Sequence, residues 1–477
     1  MTAHRVTGRD FGSRHRWRIL LAGLAAAAAA AVVASASVAA AMVDNSHRSK
    51  VAGIDLITYQ TGVKDVIVIL GSLPAGDAMA ESGNIAIPTL TGMMLDRGTQ
   101  TLDKFQIADR LDNVGAQISF GVGTETLEIR AKCLKKDLPL VLGLIAAELR
   151  TPALSSAEFA KARQQFVGTL QSALQNTGLR AQQAFGRAVF PENHPNHPHT
   201  TEEYIASAQS AELGDVKSFH ARYFGPSHMT LVLAGDVPTA EARREVAKDF
   251  RGWAGGHDYE RPAAPASASP AGASRITVPL NDKPSASVML GQATGLRYRD
   301  PDALPLRVGT AILGRGFTGR LMGTVRDREG LTYNIGAAVG EDSIIDGDWA
   351  VSASFAPSLL ERGIASTRRV IETWWTDGVT DAELSAHKQG LIGSYRVSLA
   401  TAGGVAGAIL ASVQRGYDLA WLDGYPQAIE AVTREQVNRA IRAHLDPNAM
   451  VLVEAGSVAA AEAPPASPTP TGAPPSP

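Results

Sequence analysis

Residues 216–235 read VKSFHARYFGPSHMTLVLAG, and residues 437–456 read VNRAIRAHLDPNAMVLVEAG. A single offset of 221 positions sets Val216 against Val437, Pro226 against Pro447, Met229 against Met450, Leu231 against Leu452, and Ala234-Gly235 against Ala455-Gly456. Each copy is an amphipathic helical pattern, a turn around proline, then an apolar run closed by glycine. Helix–turn–strand units recur in many proteins, but matches at one fixed offset, at the ends of two blocks of similar size, mark an internal duplication. The chain therefore reads as two copies of one domain, over residues 48–256 and 276–458.

Beyond these repeats, both blocks mix short strands with helices. Asp65 to Leu70 and Thr124 to Lys132 read as strands in the first, with helical patterns near 85–95, 101–113, 137–149 and 155–175. In the second, Ala286 to Gln292, Tyr333 to Gly340 and Trp349 to Phe355 read as strands, and 302–313, 319–326, 357–376 and 381–399 as helices. Interspersed elements with single-face alternation predict an α+β fold, doubled, in which each sheet is largely antiparallel and carries its helices on one side.

Around these blocks lie segments of another character. Five arginines (Arg5, Arg9, Arg14, Arg16, Arg18) precede an apolar run from Ile19 to Val33 and then Ala34-Ser35-Ala36, the layout of a secretory signal peptide over 1–40. Counted through Ala41 the run would be long enough for an uncleaved anchor, so periplasmic release and membrane anchoring both stay open. Residues 257–275 form a Pro/Ala-rich linker, and 459–477 end in APPASPTPTGAPPSP; such chains cannot bury a face and read as extended and solvated.

Composition narrows the function. With 45% hydrophobic and 19% charged residues there is ample material for a core. Forty-five Lys plus Arg against 47 Asp plus Glu leave no basic excess for phosphates, so nucleic acid is not an expected partner. The single cysteine, Cys133, excludes an internal disulfide framework and cysteine-rich metal sites, and its apolar neighbours predict a buried, inert thiol.

Three passages carry a family resemblance: Gly92-Met-Met-Leu-Asp-Arg-Gly-Thr99, the segment from Phe219-His220 to Gly235, and Leu313 to Tyr333, LGRGFTGRLMGTVRDREGLTY. The pattern resembles the pitrilysin/insulinase (inverzincin) family of zinc metallopeptidases, together with non-catalytic relatives such as the alpha subunit of the mitochondrial processing peptidase. The resemblance implies that two such domains form half of a clam-shell peptidase chamber. It also implies a zinc site made of a helical H-x-x-E-H and a Glu on a later helix. Laying Met94-Leu95 and Gly98-Thr99 on that pattern puts Thr89, Leu90, Thr91, Gly92 and Met93 where H-x-x-E-H belongs. Gly168-Thr169, in FAKARQQFVGTL, fall at the later acidic pair. A hydroxyl, a glycine and a thioether neither hold zinc nor take a proton from water near neutral pH. No cofactor is expected on this chain, and zinc is expected in a partner chain.

Arg326 and Tyr333, in RDREGLTY, fall on the arginine and tyrosine that the family turns toward the zinc. The resemblance implies that they position the substrate backbone and stabilise the transition state in peptide hydrolysis. An Arg at a helix end and a Tyr in a sheet also serve as ordinary structural residues, and both readings stand. Arg320 reads as structural support. His194, His197 and His199 are the one close histidine cluster, and the prolines among them predict a polar surface loop.

Two functions are compatible with this inventory. The chain is either the non-zinc subunit of a two-chain peptidase, whose partner carries H-x-x-E-H and whose substrate is an extended peptide, or a non-enzymatic peptide-binding or scaffold subunit of an envelope complex. A homodimer fails on inventory, because two copies still supply no zinc ligands.

Overall fold

The computed structural model describes residues 42–458, apart from 81–82, 257–271, 341 and 344. The expected signal segment, most of the linker and the tail lie outside the described residues.

The two repeats become the same two elements twice. Leu213–Tyr223 and Arg434–His444 are helices, and Thr230–Gly235 and Val451–Gly456 are strands buried along their whole length. Each strand must close on glycine. Gly235 has φ +140° and Gly456 +152°, and a Cβ on Gly235 would stand 2.0 Å from the Val66 carbonyl oxygen.

In the first half the strands are β1 (Ser46–Val51), β2 (Ile54–Gln60), β3 (Val66–Leu73), β4 (Gln117–Val122), β5 (Leu127–Leu134) and β6 (Thr230–Gly235). In the second they are β7 (Ser274–Pro279), β8 (Ala286–Ala293), β9 (Thr332–Gly340), β10 (Asp348–Phe355) and β11 (Val451–Gly456). The sheet orders are β1-β2-β6-β3-β5-β4 and β7-β11-β8-β10-β9, so the second repeats the first without a counterpart of β1. The β2–β6 and β7–β11 pairs are parallel and the others antiparallel. The fold is thus α+β with two mixed sheets, and β4 and β9 are edge strands.

The helices of the first half are α1 (Ile87–Leu95), α2 (Lys104–Asp112), α3 (Leu138–Arg150), α4 (Ser156–Ala173), α5 (Thr177–Val189), α6 (Thr201–Ser210), α7 (Leu213–Tyr223) and α8 (Thr239–Phe250). Those of the second are α9 (Ala303–Gly314), α10 (Leu360–Asp377), α11 (Asp381–Ser398), α12 (Ala402–Gln414), α13 (Ala420–Ala431) and α14 (Arg434–His444).

One expectation is corrected here. Helices do not lie on one side only. Helix α5 of the first half packs on β8 and β11 of the second sheet, and α12 of the second half packs on β3 and β6 of the first. The exchange obeys the same 221-residue offset: Ala181, Phe185 and Val189 on α5 and Ala402, Ala406 and Leu410 on α12 are all buried. Each sheet thus has one face on its own helices and the other on a helix lent by its twin. A buried side chain such as Phe185 or Val189 contributes about 1.5–3 kcal/mol by leaving water, so the two halves share one set of cores. No single helix among the described residues is long and apolar enough to cross a membrane.

Candidate functional site

Arg326 rides on a π-helix, Met322–Arg328, held against β9 by the buried Leu321 and Val325. Such wide turns are rare and recur at functional sites. Seven residues on, Tyr333 opens the edge strand β9. The Arg326 guanidinium carbon lies 5.2 Å from the Tyr333 ring centroid and 5.1 Å from that of Phe317. The cation is sandwiched between two rings that face solvent, Tyr333 at 84% and Phe317 at 71% exposure. Among the described residues Arg326 has no ion pair. Its donor fork and the Tyr333 phenol are therefore open to an incoming acceptor.

Phe317 is not legible in the sequence as part of this cluster. It sits in the turn Gly316-Phe317-Thr318, where Gly316 takes φ +64°, and the signal available in sequence is a large aromatic in a glycine-rich stretch. Arg320, by contrast, turns away. It donates to both carboxylate oxygens of Glu383 at 2.7 and 2.8 Å and to the Gly378 carbonyl at 2.9 Å. That guanidinium holds the Glu383 carboxyl down at about 2.

At the other position singled out by sequence, each polar atom is directed inward. The Thr89 hydroxyl donates to Asp77 Oδ1 at 3.1 Å, the Tyr204 phenol donates to Asp77 Oδ2 at 3.1 Å, and Thr91 donates to the Ile87 carbonyl at 2.8 Å. Burial pushes the Asp77 carboxyl up. Gly92 is closed in, since a Cβ there would stand 2.5 Å from Val122 Cγ2 on β4. Met93 packs on the first core, and Thr169 donates to the Gln165 carbonyl on its own helix. These residues do not fit a zinc ion. They offer no imidazole and no carboxylate, and the glycine leaves no room for one.

The histidine segment differs from its expected place on the surface. His194 is fully buried, stacked on Phe190 with ring centroids 4.6 Å apart, while His199 is exposed. The Asn196 N–H donates to His194 Nδ1 at 3.0 Å, so Nε2 carries the hydrogen and donates to Asp346 Oδ1 at 3.2 Å. Asp346 lies in the β9–β10 connection, so this bond joins the two halves. Beside it runs a cleft of about 850 Å³, walled by Arg187, His197 and Tyr204 and floored by Ala338, Ala350 and Ser352 of the second sheet. Pairing register sets Ala338 against Ala350 and Ser119 against Arg130 in the two sheets. The first sheet thus carries Arg130 and Lys132 where the second carries only small residues.

Two further buried groups belong to the core. Cys133 is buried and its thiol is pushed up to about 12 by desolvation. Glu148, on α3, is 1% exposed. Among the described residues its Oε2 has no partner, and burial, with Asp96 adding repulsion, pushes its carboxyl up to about 8.

The fold is a doubled α+β chain with two mixed sheets and exchanged helices. Comparison with known proteins agrees: residues 210–391 match the family model described as the Peptidase M16 inactive domain. That match spans 182 of the 477 residues and places a Peptidase M16 inactive domain over 210–391. The non-peptidase homolog YmxG of Helicobacter pylori is 22% identical over 382 residues, covering 78% of this chain and 85% of that one. An uncharacterized zinc protease of Mycobacterium tuberculosis is 27% identical over 320 residues, 64% and 69% of the two chains. A crystal structure of a peptidase M16 inactive domain from Pseudomonas fluorescens superposes with a TM-score of 0.79 at 23% identity, over 87% of this chain and 98% of that one. The periplasmic protease PqqL of Escherichia coli superposes at 0.69 and 14% identity, over 86% of this chain and 46% of PqqL. These structures establish the fold.

Proposed function

We propose that this chain is the non-zinc half of a two-chain insulinase-type peptidase, exported across the inner membrane, and that Arg326 and Tyr333 are its contribution to peptide hydrolysis. The observation that carries the reading is an asymmetry between the two candidate positions. Arg326 and Tyr333 stand out into solvent with donors unspent, whereas the Thr89 hydroxyl is spent on Asp77 and Gly92 is closed in against Val122. In this reading a partner chain with H-x-x-E-H supplies the activated water. Arg326 directs its fork at a carbonyl of the extended peptide, and the Tyr333 phenol donates one hydrogen bond to the oxygen on which negative charge grows. Before substrate arrives Arg326 already lies over its two rings, and Tyr333 sits at the bulge of β9, between the paired residues Thr332 and Ile335.

The test is a pull-down of the mature protein from its own extract, with zinc analysis and a peptidase assay on the eluate. Co-elution of an H-x-x-E-H family chain with zinc and cleaving activity is the expected result. Peptidase activity of the lone chain, abolished by a chelator, would sink the reading.

A second reading, a peptide-holding or scaffold subunit, is favoured by one observation. Strand β9 leaves one side of its ladder unpaired, and extended peptides bind by adding to such edges without any metal. Elution alone, metal-free and inactive yet retaining extended peptides, selects it.

A further inference from the structure

Five aromatic rings of the second half gather around the start of α13. Tyr417 stacks on Trp421 with ring centroids 4.4 Å apart, Trp421 leans on Tyr425 at 5.0 Å, and Tyr425 meets Tyr395 edge-on at 4.8 Å. Tyr298 closes the group beside Tyr417 and Trp421. Arginines are layered on these rings. The guanidinium carbons of Arg307 and Arg415 lie 4.5 and 4.1 Å from the Tyr298 centroid, and that of Arg299 lies 4.7 Å from the Tyr417 centroid. Arg307 is paired with Asp342, but among the described residues Arg299 and Arg415 have no carboxylate partner.

The cluster is open to solvent and has apolar neighbours. Tyr298, Tyr417 and Trp421 are half-buried and Arg299 is exposed. The Tyr395 phenol donates to the Leu422 carbonyl at 2.7 Å, which brings the end of α11 to α13, and Val397, two residues further on, is 72% exposed. Rings with one polar tip, guanidinium forks on apolar stems and exposed aliphatic groups are the side chains that suit the boundary between hydrocarbon and lipid headgroups.

The described chain also begins here. The backbone N–H groups of Met42 and Val43 donate to the two carboxylate oxygens of Asp423 at 2.6 and 3.3 Å, within one turn of Trp421, and Val43 is 47% exposed. In the sequence, the stretch of apolar and small residues that starts at Ile19 runs to Ala41, so no spacer separates it from this face.

We propose that the face formed by Tyr298, Arg299, Val397, Arg415, Tyr417 and Trp421 docks on a phospholipid surface, with the rings at headgroup level and the two arginines donating to lipid phosphates. An acidic protein partner would engage the arginines but leave Val43 and Val397 without a use, and it would not account for an apolar stretch arriving at the same place. The inference does not depend on the peptidase reading.

The experiment labels the full chain with the environment-sensitive dye nitrobenzoxadiazole at Gly424→Cys and, in a second protein, at Gly168→Cys. Both glycines are exposed, with open space where a Cβ would stand. Gly168 lies on α4, whose buried residues belong to the core on the face of the first sheet away from α12. Cys133 is buried and stays unlabelled. Labelled protein is mixed with vesicles of phosphatidylcholine and phosphatidylglycerol. The dye at position 424 should brighten at least about 2-fold and be quenched by brominated acyl chains, while the dye at 168 changes little. In Arg299→Gln/Val397→Ser, both at exposed positions, and in Tyr417→Ser, the brightening should fall by about half or more, with the thermal midpoint as the folding control. The stretch before Met42 is intact in every variant, so its own affinity for lipid cannot produce that difference. No change at 424, equal changes at 424 and 168, or changes indifferent to both variants would each overturn the proposal. None of these outcomes bears on zinc or activity.

Discussion

The Nε2 of His194 lies 3.2 Å from Oδ1 of Asp346, with both side chains wholly out of contact with water and 152 positions of sequence between them. This bond ties the loop after α5 to the hairpin of β9 and β10, beside the exchanged helix that already joins the halves. Removing one partner leaves the other buried without it, which costs more than the net worth of the bond. His194→Ala or Asp346→Ala should lower stability by about 2–4 kcal/mol in urea unfolding. The double variant should lose clearly less than the sum of the two. Additive losses would mean that the pair is not coupled.

Glu148 gives the fold a pH dependence of defined sign. Its carboxyl sits at about 8 in the folded chain, above the usual 4.5, so folding takes up a proton. The stability linked to it is fully present below pH 4.5 and declines as pH rises toward 8, by about 1.4 kcal/mol per unit. Glu148→Gln removes this slope. The variant should melt several degrees above the parent at pH 8, with the gap closing toward pH 5. A gap independent of pH would show that Glu148 is not the group responsible.

Arg326→Ala and Tyr333→Phe should leave the thermal midpoint within about 1–2 °C, because exposed cation–π contacts contribute roughly 0.5–1 kcal/mol. In the assembled pair each should reduce turnover by about 10²-fold without disturbing assembly. Silent substitutions at both positions in an active complex would remove the catalytic role and leave a surface cluster.

Helix α1 should resist restoration of a metal site. In Thr89→His/Gly92→Glu/Met93→His the glutamate would drive into Val122, whose branched side chain cannot swing aside. No stoichiometric zinc is expected by elemental analysis, and one bound zinc per chain would contradict the packing argument. Gly92→Ala alone should cost about 1–3 kcal/mol by overpacking, measured by thermal unfolding.

The elements of the core are legible where they are regular. β8, β10, α9 and α11 lie within a residue or two of their expected bounds, because burial of one face repeats every two or 3.6 residues and leaves its period in the chain. Strands β2 and β7, each added in parallel to the strand that closes the repeat, are not among the expected elements, nor is β4 at an edge; a short strand beside a loop carries too few residues to set a period. Helix α5 is also missing from them. Its buried stripe of Ala181, Phe185 and Val189 is spaced for a helix, but glutamines and a glycine surround it.

At the candidate site, sequence alone picks out Arg326, Tyr333 and the altered residues of α1, since motif spacing is a property of the chain. It cannot bring Phe317 to Arg326, bury His194 against Asp346, or send α5 and α12 to each other's sheets. Those contacts depend on which surfaces remain unburied once each half has formed. By itself the sequence determined a doubled unit and the chemistry available to it. The tertiary structure decided which of those groups face inward and which face solvent, because burial is shared by the whole fold and no local pattern records it.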